Sequence, residues 1–537
     1  MSALTSNRIH LMMRSNILRA SLAAASIVAG LTACDADKLT EVNVNPNAPE
    51  TVTSQSLFTN AVVGIMQSIR GAGLTHGFAG VWSQHFAEIQ YPETDLNQPR
   101  TSNIDTFWAR FYTGTVSGPT MGSMQDLNQI LLQSPTSVNI IAPTLVFRAF
   151  TLETLTDMWG DVPFTEAGRG SEILTPKYDA QSVVYDSIFA MLNRAVTIPA
   201  PTEDVTSPNF ARMASADPVY GDKSAAGQAA SWTKLANSLH ARAALRLSQV
   251  DAAKSKAELT KALAGPVFTS NADNAFVTWP GGTLGNPLCL NWINAGCGGT
   301  RDDQRVSKRL VDTLKANSDP RLAAFADPTG NSQKAVPTVC DITYRGYPNG
   351  LAAPSEKNAC DPAGKLNYSL NDYSRPNISI RSAGSPSWIM SYAEVLFIKA
   401  EAAERGLVGT PAQAAAFYTA AITASMQQWE IEPSAITAYL ARPGVAYKGG
   451  AAGLQQIAYE KWVALYNQET EAWAEQRRLD YPVLKPGPDA ATTTVPTRMP
   501  YPDSENSLNA TNLNAAKANQ GGATGTSLSG KVWWDKP

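Results

Sequence analysis

The chain has 537 residues, enough for more than one hydrophobic core, with 44% apolar and 17% charged residues. Its 43 basic and 46 acidic side chains give a formal charge of −3, which excludes the basic surface that phosphate binding requires, so no nucleic-acid partner is expected.

The first segment carries basic residues, an apolar run from Leu22 to Leu31 and then Leu31-Thr32-Ala33-Cys34. A charged start, a short apolar core and small residues before a cut are the order of a secretory signal, expected over residues 1–33. Leu-Thr-Ala-Cys looks like a bacterial lipobox, which makes Cys34 the expected lipidation site and places the chain on a membrane by a lipid anchor. Residues 34–54 are polar, rich in Asn and Pro, and read as a tether to a single domain over 55–537. No other apolar run is expected to span a bilayer.

Helical spacing returns with Leu57, Ala61, Ile65 and Ile69, and is interrupted by Gly71, Gly73 and Gly77. A polar loop from Glu88 to Thr106 leads to the aromatic cluster Phe107, Trp108, Phe111 and Tyr112, and then to a helix through Met121, Met124 and Leu127. Leu145, Ala149, Leu152, Leu155 and Trp159 form the next stripe; Pro163 then forces the residue before it into extended backbone. Val184 to Ala195 and Trp232 to Leu247 give two more helices, separated by a long polar loop from Pro199 to about Ala230.

Residues 265–387 change character: Gly and Pro are dense, and Cys289, Cys297, Cys340 and Cys360 all fall here. This stretch reads as an irregular, loop-rich subdomain set between scaffold helices at 55–264 and 388–480, with short strands and a brief helix near Val306 to Leu314. Four cysteines in an exported chain allow three pairings, of which Cys289–Cys297 and Cys340–Cys360 close the shortest loops. Zinc is disfavoured because CxxC spacing and a nearby His are both missing, and no metal or other cofactor is expected.

From Trp388 to Gln428 the pattern is a helical hairpin. Ser391 and Glu394 are spaced as a capping box, Gly406 as a left-handed stop, and Thr410-Pro411 with Gln413 as a restart. Small residues, a short turn and a unit of about 34 residues resemble a tetratricopeptide repeat. A last helix carries Leu454, Ile457, Trp462 and Leu465, and past Pro482 the composition reads as loop. The expected class is thus mainly α: a tetratricopeptide-like helical-hairpin scaffold with a loop-rich subdomain.

Several segments together resemble the SusD/RagB family of nutrient-binding outer-membrane lipoproteins. They are Leu31 to Cys34, the Ala149 to Phe164 segment ending Trp-Gly-Asp-Val-Pro-Phe, Trp232 to Arg242, Tyr392-Ala-Glu394 with Ala400-Glu401-Ala402, Glu471 to Arg478, Arg498 to Pro502, and Trp533-Trp534. The resemblance implies a lid on a TonB-dependent, SusC-like outer-membrane transporter at the cell surface, capturing oligosaccharide or, in some branches, peptide.

Sugar recognition uses aromatic faces beside polar groups. Trp82, Trp108, Trp279 and Trp292 lie in such surroundings, Trp292 near Asn291 and Asn294, and with Tyr344 and Tyr347 they are the expected ligand-contacting residues. Trp159, Trp232, Trp462 and Trp473 lie on helical stripes and belong to the core. The run Glu469, Glu471, Glu475, Arg477, Arg478 is spaced for intrahelical ion pairs, such as Glu471 and Glu475 with Arg478, rather than for catalysis. His76, His85 and His240 form no metal-binding pair, and nucleophile, metalloprotease and phosphate-loop motifs are missing, so no catalytic residue is assigned. The rival readings are a lipid-anchored glycoside hydrolase using Glu88, Asp95 or Asp105, and a helical-repeat scaffold that binds only protein.

Overall fold

A computed structural model describes residues 52–536, apart from 115–121, 170–171, 199–212, 283, 294, 330–342 and 353–372. Cys34, Cys340, Cys360 and Asn294, and with them the expected anchor and second disulfide, lie outside the described residues.

Helices dominate. Helix α1 (Ser54–Ile69) buries Phe58, Val62 and Ile65 on one stripe. The Gly-containing stretch after it is a π-helical segment, Ala72–Ala79, running into a helical turn, Gly80–Trp82. Helix α2 (Thr101–Tyr112) begins inside the expected polar loop, and α3 (Met124–Gln133) starts at a capping box in which Ser123 and Asp126 satisfy each other's backbone. Against α1 the chain passes so closely that a Cβ on Gly64 would lie 2.3 Å from the Gly122 backbone nitrogen, which only glycine tolerates.

Helix α4 (Val138–Trp159) is the spine, with Leu145, Ala149, Leu152, Leu155 and Trp159 all within 2% of complete burial. It is long and apolar enough to cross a bilayer, contrary to the sequence expectation, yet it is buried within the described fold. Burying each large side chain contributes about 1.5–3 kcal/mol, so this helix is a core element of the fold. Gly160 ends it, and β2 (Val162–Pro163) pairs antiparallel with β3 (Tyr178–Asp179), as Pro163 requires. Helices α5 (Gln181–Thr197) and α6 (Ala225–Arg246) pack beside it, and α7 (Ala252–Ala264), capped by Asp251, folds back on α6.

In the loop-rich stretch β4 (Ala275–Val277) and β5 (Gln304–Val306) are short, and α8 (Lys308–Ala316) is the expected brief helix. Strand β6 (Ser387–Met390) pairs with β4. The hairpin follows: α9 (Tyr392–Glu404) and α10 (Pro411–Gln428) pack closely, joined through Gly406 at φ +66°. The Ser391 hydroxyl accepts from the Glu394 N–H at 3.3 Å, and the Thr410–Gln413 capping box is complete. Glu394 itself does not reach back to Ser391. Its carboxylate accepts two bonds from Arg242 of α6, at 2.6 and 2.7 Å, because an ion pair between helices outweighs a local cap.

Helices α11 (Pro433–Leu440), α12 (Gly450–Ala464) and α13 (Glu469–Leu479) complete the scaffold. The segment after Pro482 is not all loop, as its composition suggests: residues Asp503–Leu508 and α14 (Ala510–Asn519) are helical, and Leu513 and Ala516 are buried.

The segments that carry the family resemblance, apart from Leu31 to Cys34 outside the described residues, meet in one buried seam. Arg246 pairs with Glu471 at 2.6 Å and with Glu475 and Asp157; Arg478 pairs with Glu401 at 2.7 Å and Glu475 at 2.7 Å; Lys461 reaches Glu475 at 2.6 Å. The expected intrahelical pairing therefore holds for Glu475 with Arg478, while Glu471 pairs across to α6. Desolvation would raise Glu401, but the Arg478 charge and its hydrogen bonds hold it down to about 2. Trp534 donates to Asp157 at 2.7 Å with the Arg477 guanidinium 5.0 Å from its ring, and Trp473 donates to the Pro496 carbonyl at 3.0 Å. Trp159, Trp232, Trp462 and Trp473 are all core, and His240 is satisfied by Glu258 at 2.7 Å. These charges join helices; they perform a structural task.

Candidate functional site

Beside the scaffold, β1 (Phe86–Glu88) pairs antiparallel with β5, Glu88 opposite Gln304, and the Ile89 N–H continues the ladder to the Asp303 carbonyl at 2.8 Å. The chain then turns sharply. Leu96 donates to the Pro92 carbonyl and Gln98 to that of Glu93, and the Glu88 and Asp95 side chains each accept the other's backbone N–H, at 3.2 and 3.0 Å. Trp82 ties the turn to the scaffold by donating to the Thr94 carbonyl at 3.3 Å. At the tip stands Tyr91, with φ +54° and half of its surface exposed.

The opposite wall is a loop stapled by the Cys289–Cys297 disulfide, one of the pairings allowed by the sequence. A bridge between Trp292 and Asp302 and a bond from the Ile293 N–H to the Arg301 carbonyl at 3.0 Å close it onto the strand end. Leu284, Leu290 and Ile293 are exposed along this loop. Trp292 lies beneath, fully buried, with the His76 ring 5.7 Å away. Burial pushes His76 down to about 3, so this imidazole is neutral.

Between the walls are two adjoining lobes. The larger, about 390 Å³, is lined by Gln90, Ile293, Arg301, Asp302 and Arg375 among others; the smaller, about 190 Å³, by Glu88, Glu93, Arg100, Asn291 and Gln304 among others. Gln90, Tyr91, Arg301 and Asp303 border both. The Arg100 and Arg301 guanidinium carbons lie 5.2 and 5.0 Å from the Tyr91 ring centre, within cation–π reach. Arg301 pairs with Asp303 at 2.6 Å, Arg375 with Asp302, and Arg100 with Glu93. Burial pushes Asp95 up to about 7, and burial with the Asp95 charge pushes Glu88 well above the carboxylate range.

Such a surface offers an exposed phenol, fixed guanidinium and carboxylate edges and a small apolar rim. It can bond to hydroxyl or amide groups and pack against a ring or C–H face.

The sequence-expected aromatics occupy other positions. Trp82, Trp108, Trp279, Trp292 and Tyr347 are each at most 5% exposed, and Tyr344 is partly buried against the cluster around Phe325. A covered ring has no face to offer a sugar, and in this structure these five rings are packed within the fold. Trp82 and Trp292 do lie beneath the cleft, while Trp108 packs on Trp159 and Trp279 donates to Ser387 at 2.9 Å. Asp105 accepts from Ser504, and Glu88 and Asp95 are engaged with backbone. Tyr91, Arg301, Asp303 and Gln304 stand in the cleft with weak sequence signals, a tyrosine beside Pro92 in a polar loop and the polar run Arg301 to Arg305 after two glycines.

A family model of SusD-like proteins, described as starch-binding and associating with the outer membrane, matches residues 46–502. The structure is similar to that of a chitin-binding protein, with 26% sequence identity and a TM-score of 0.73 over 90% of this chain and 100% of that one. A chitin-binding SusD homologue from Flavobacterium johnsoniae is 24% identical, with a TM-score of 0.71 over 89% and 98% of the two chains. A SusD homologue from Bacteroides uniformis is 23% identical, with a TM-score of 0.70 over 90% and 99%. Likeness at the latter two levels speaks for the fold alone. No curated protein matches the chain.

Proposed function

The chain belongs to the SusD-like family of starch-binding proteins that associate with the outer membrane, and on that premise we propose that the cleft around Tyr91 captures an oligosaccharide at the cell surface. Lipid on Cys34 holds the protein there, and a TonB-dependent, SusC-like transporter takes the cargo onward. The observation that carries the reading is Tyr91, an exposed aromatic set by a locked turn between two arginine–carboxylate pairs and facing a disulfide-held loop. Binding needs no bond making; it needs a preformed surface that costs little to order. Trp82 and Trp292 serve it from below by fixing the two walls.

A peptide is the second cargo class, since backbone amides would meet the same edges. A lipid-anchored glycoside hydrolase and a scaffold that binds only protein are the other readings. Calorimetric titration with an oligosaccharide panel and a peptide panel, with product analysis of each mixture, tests them together. Saturable sugar binding without product is expected, and Tyr91→Ala is expected to weaken it at least tenfold while thermal unfolding stays close to that of the parent. Released sugar would favour the hydrolase, and binding unchanged by Tyr91→Ala would remove the cleft from the account.

A further inference from the structure

The larger lobe is lined by Arg301, Arg305 and Arg375 against Asp302 and Asp303, and the two signs of charge are not equally placed. The side chains of Asp302 and Asp303 are only 9% and 10% exposed, whereas those of Arg375 and Arg301 are 26% and 48% exposed. A ligand entering the lobe therefore meets guanidinium rather than carboxylate. One carboxylate also serves two cations, because Arg375 and the fully buried Arg305 both reach the Asp302 Oδ2 atom, Arg305 at 3.4 Å. Burial lowers Arg305 to about 10, which leaves it charged at neutral pH. The lobe thus carries an excess of positive charge on a chain whose formal charge is −3.

The smaller lobe does not cancel this excess. Arg100 is matched by Glu93, Arg301 and Asp303 belong to both lobes, and burial with the Asp95 charge holds a proton on Glu88. Bonding capacity points the same way. Arg375 spends both Nε and Nη2 on the single Asp302 Oδ2 atom, which leaves its Nη1 N–H groups for a ligand. Arg301 holds Asp303 in the same manner, through Nε and Nη2. A guanidinium with one edge engaged still presents another, and the oxygens of a carboxylate or sulfate suit that planar fork better than a sugar hydroxyl does. The pairs with Asp302 and Asp303 hold the two forks in place, so little ordering remains to be done on binding.

We propose that the larger lobe is an anion subsite, in which Arg375 and Arg301 bond to a carboxylate or sulfate group carried by the sugar chain while Tyr91 packs against an adjoining ring. This rests on the sugar-capture reading above and narrows its substrate class to acidic oligosaccharides, uronate-containing or sulfated. Arg305, with no exposed surface, adds its charge without touching the ligand. At about 390 Å³ the lobe is near the lower end of the size range for a ligand pocket, which suits one acidic unit of a longer chain.

The experiment is a calorimetric titration of the full-length protein, at about 0.05 and 0.5 M salt, with galacturonate, glucuronate and mannuronate oligosaccharides, sulfated galactan oligosaccharides, and the carboxyl-reduced or desulfated form of each. At least one acidic sugar is expected to bind tenfold or more tighter than its own neutral form at the lower salt, and to lose most of that advantage at the higher. Binding confined to uronates or to sulfated sugars identifies the group, and either result supports the subsite. Arg375→Gln is expected to weaken the acidic sugar at least tenfold and to leave its neutral form within about twofold of the parent. Neutral forms bound as tightly as every acidic one, or a folded Arg375→Gln protein with parental affinity for the acidic sugar, overturns the proposal while leaving sugar capture standing. Failure of every sugar, with an Asp- and Glu-rich peptide bound instead or with nothing bound, overturns both. The comparison of acidic and neutral forms uses the parent protein alone, so it decides even where Arg375→Gln does not fold.

Discussion

Glu88 and Asp95 bracket the turn that presents Tyr91, and burial holds protons on them that free carboxyl groups would release. Asp95 titrates at about 7 in the fold and at 3.8 when exposed, and Glu88 is raised as well. A group whose folded pKa is raised loses stabilising effect as pH climbs from its unfolded value to its folded value, so Asp95 weakens the fold between about pH 4 and 7, and Glu88 adds a loss of the same sign as pH rises above the ordinary carboxylate range. Glu88→Gln keeps an oxygen for the Asp95 N–H and removes the like charge. It is expected to be about 1–3 kcal/mol more stable relative to the parent at pH 8 than at pH 4.5, measured by urea unfolding at the two pH values. An equal difference at both would show that the bracket carries no titrating strain. At this scale the sequence misleads in an instructive way. Residue type points to Trp82 and Trp292, and they lie beneath the cleft; Tyr91 is hidden because one tyrosine in a polar loop leaves no periodic trace.

Helices in this protein are joined by charge as well as by apolar packing. Arg242 of α6 and Glu394 of α9 make a two-bond pair, each at most 3% exposed. Removing one partner of such a pair strands the other, at a cost of about 3–5 kcal/mol. Arg242→Met is expected to lose that much in chemical denaturation, and adding Glu394→Leu to recover part of it; strictly additive losses would mean that the two side chains act independently. The same pair shows why element starts were legible while their side-chain partners were not. Ser391, Gly406 and Thr410 obey local rules that a string of residues contains, whereas the partner of Glu394 is 152 positions away. Residues 503–519 failed in the opposite sense: a Ser, Asn and Ala composition suggests loop, but burial of Leu513 and Ala516 sustains helix there.

For the whole molecule, the helical class and the family were legible because ordered segments spread from Trp159 to Trp534 had to be present together. The cleft was not, since two loops that are far apart in sequence build it and neither is periodic. Attachment is the property on which the proposed function rests at this scale. Cys34→Ala is expected to shift the protein from the membrane pellet to the soluble fraction on cell fractionation, with oligosaccharide affinity unaltered. A variant still pelleting with membranes would require another means of attachment.

The buried seam has one more consequence, for how the chain acquires its shape. Arg70 bonds to Thr470, 400 residues away, and Arg246 to Glu471 across 225. Closing contacts of that span costs chain entropy before any of it is recovered, so consolidation comes late and refolding from denaturant is slow. A fragment ending before residue 469 would leave Arg246 without Glu471 and Glu475, inviting proteolysis instead of yielding a smaller working receptor.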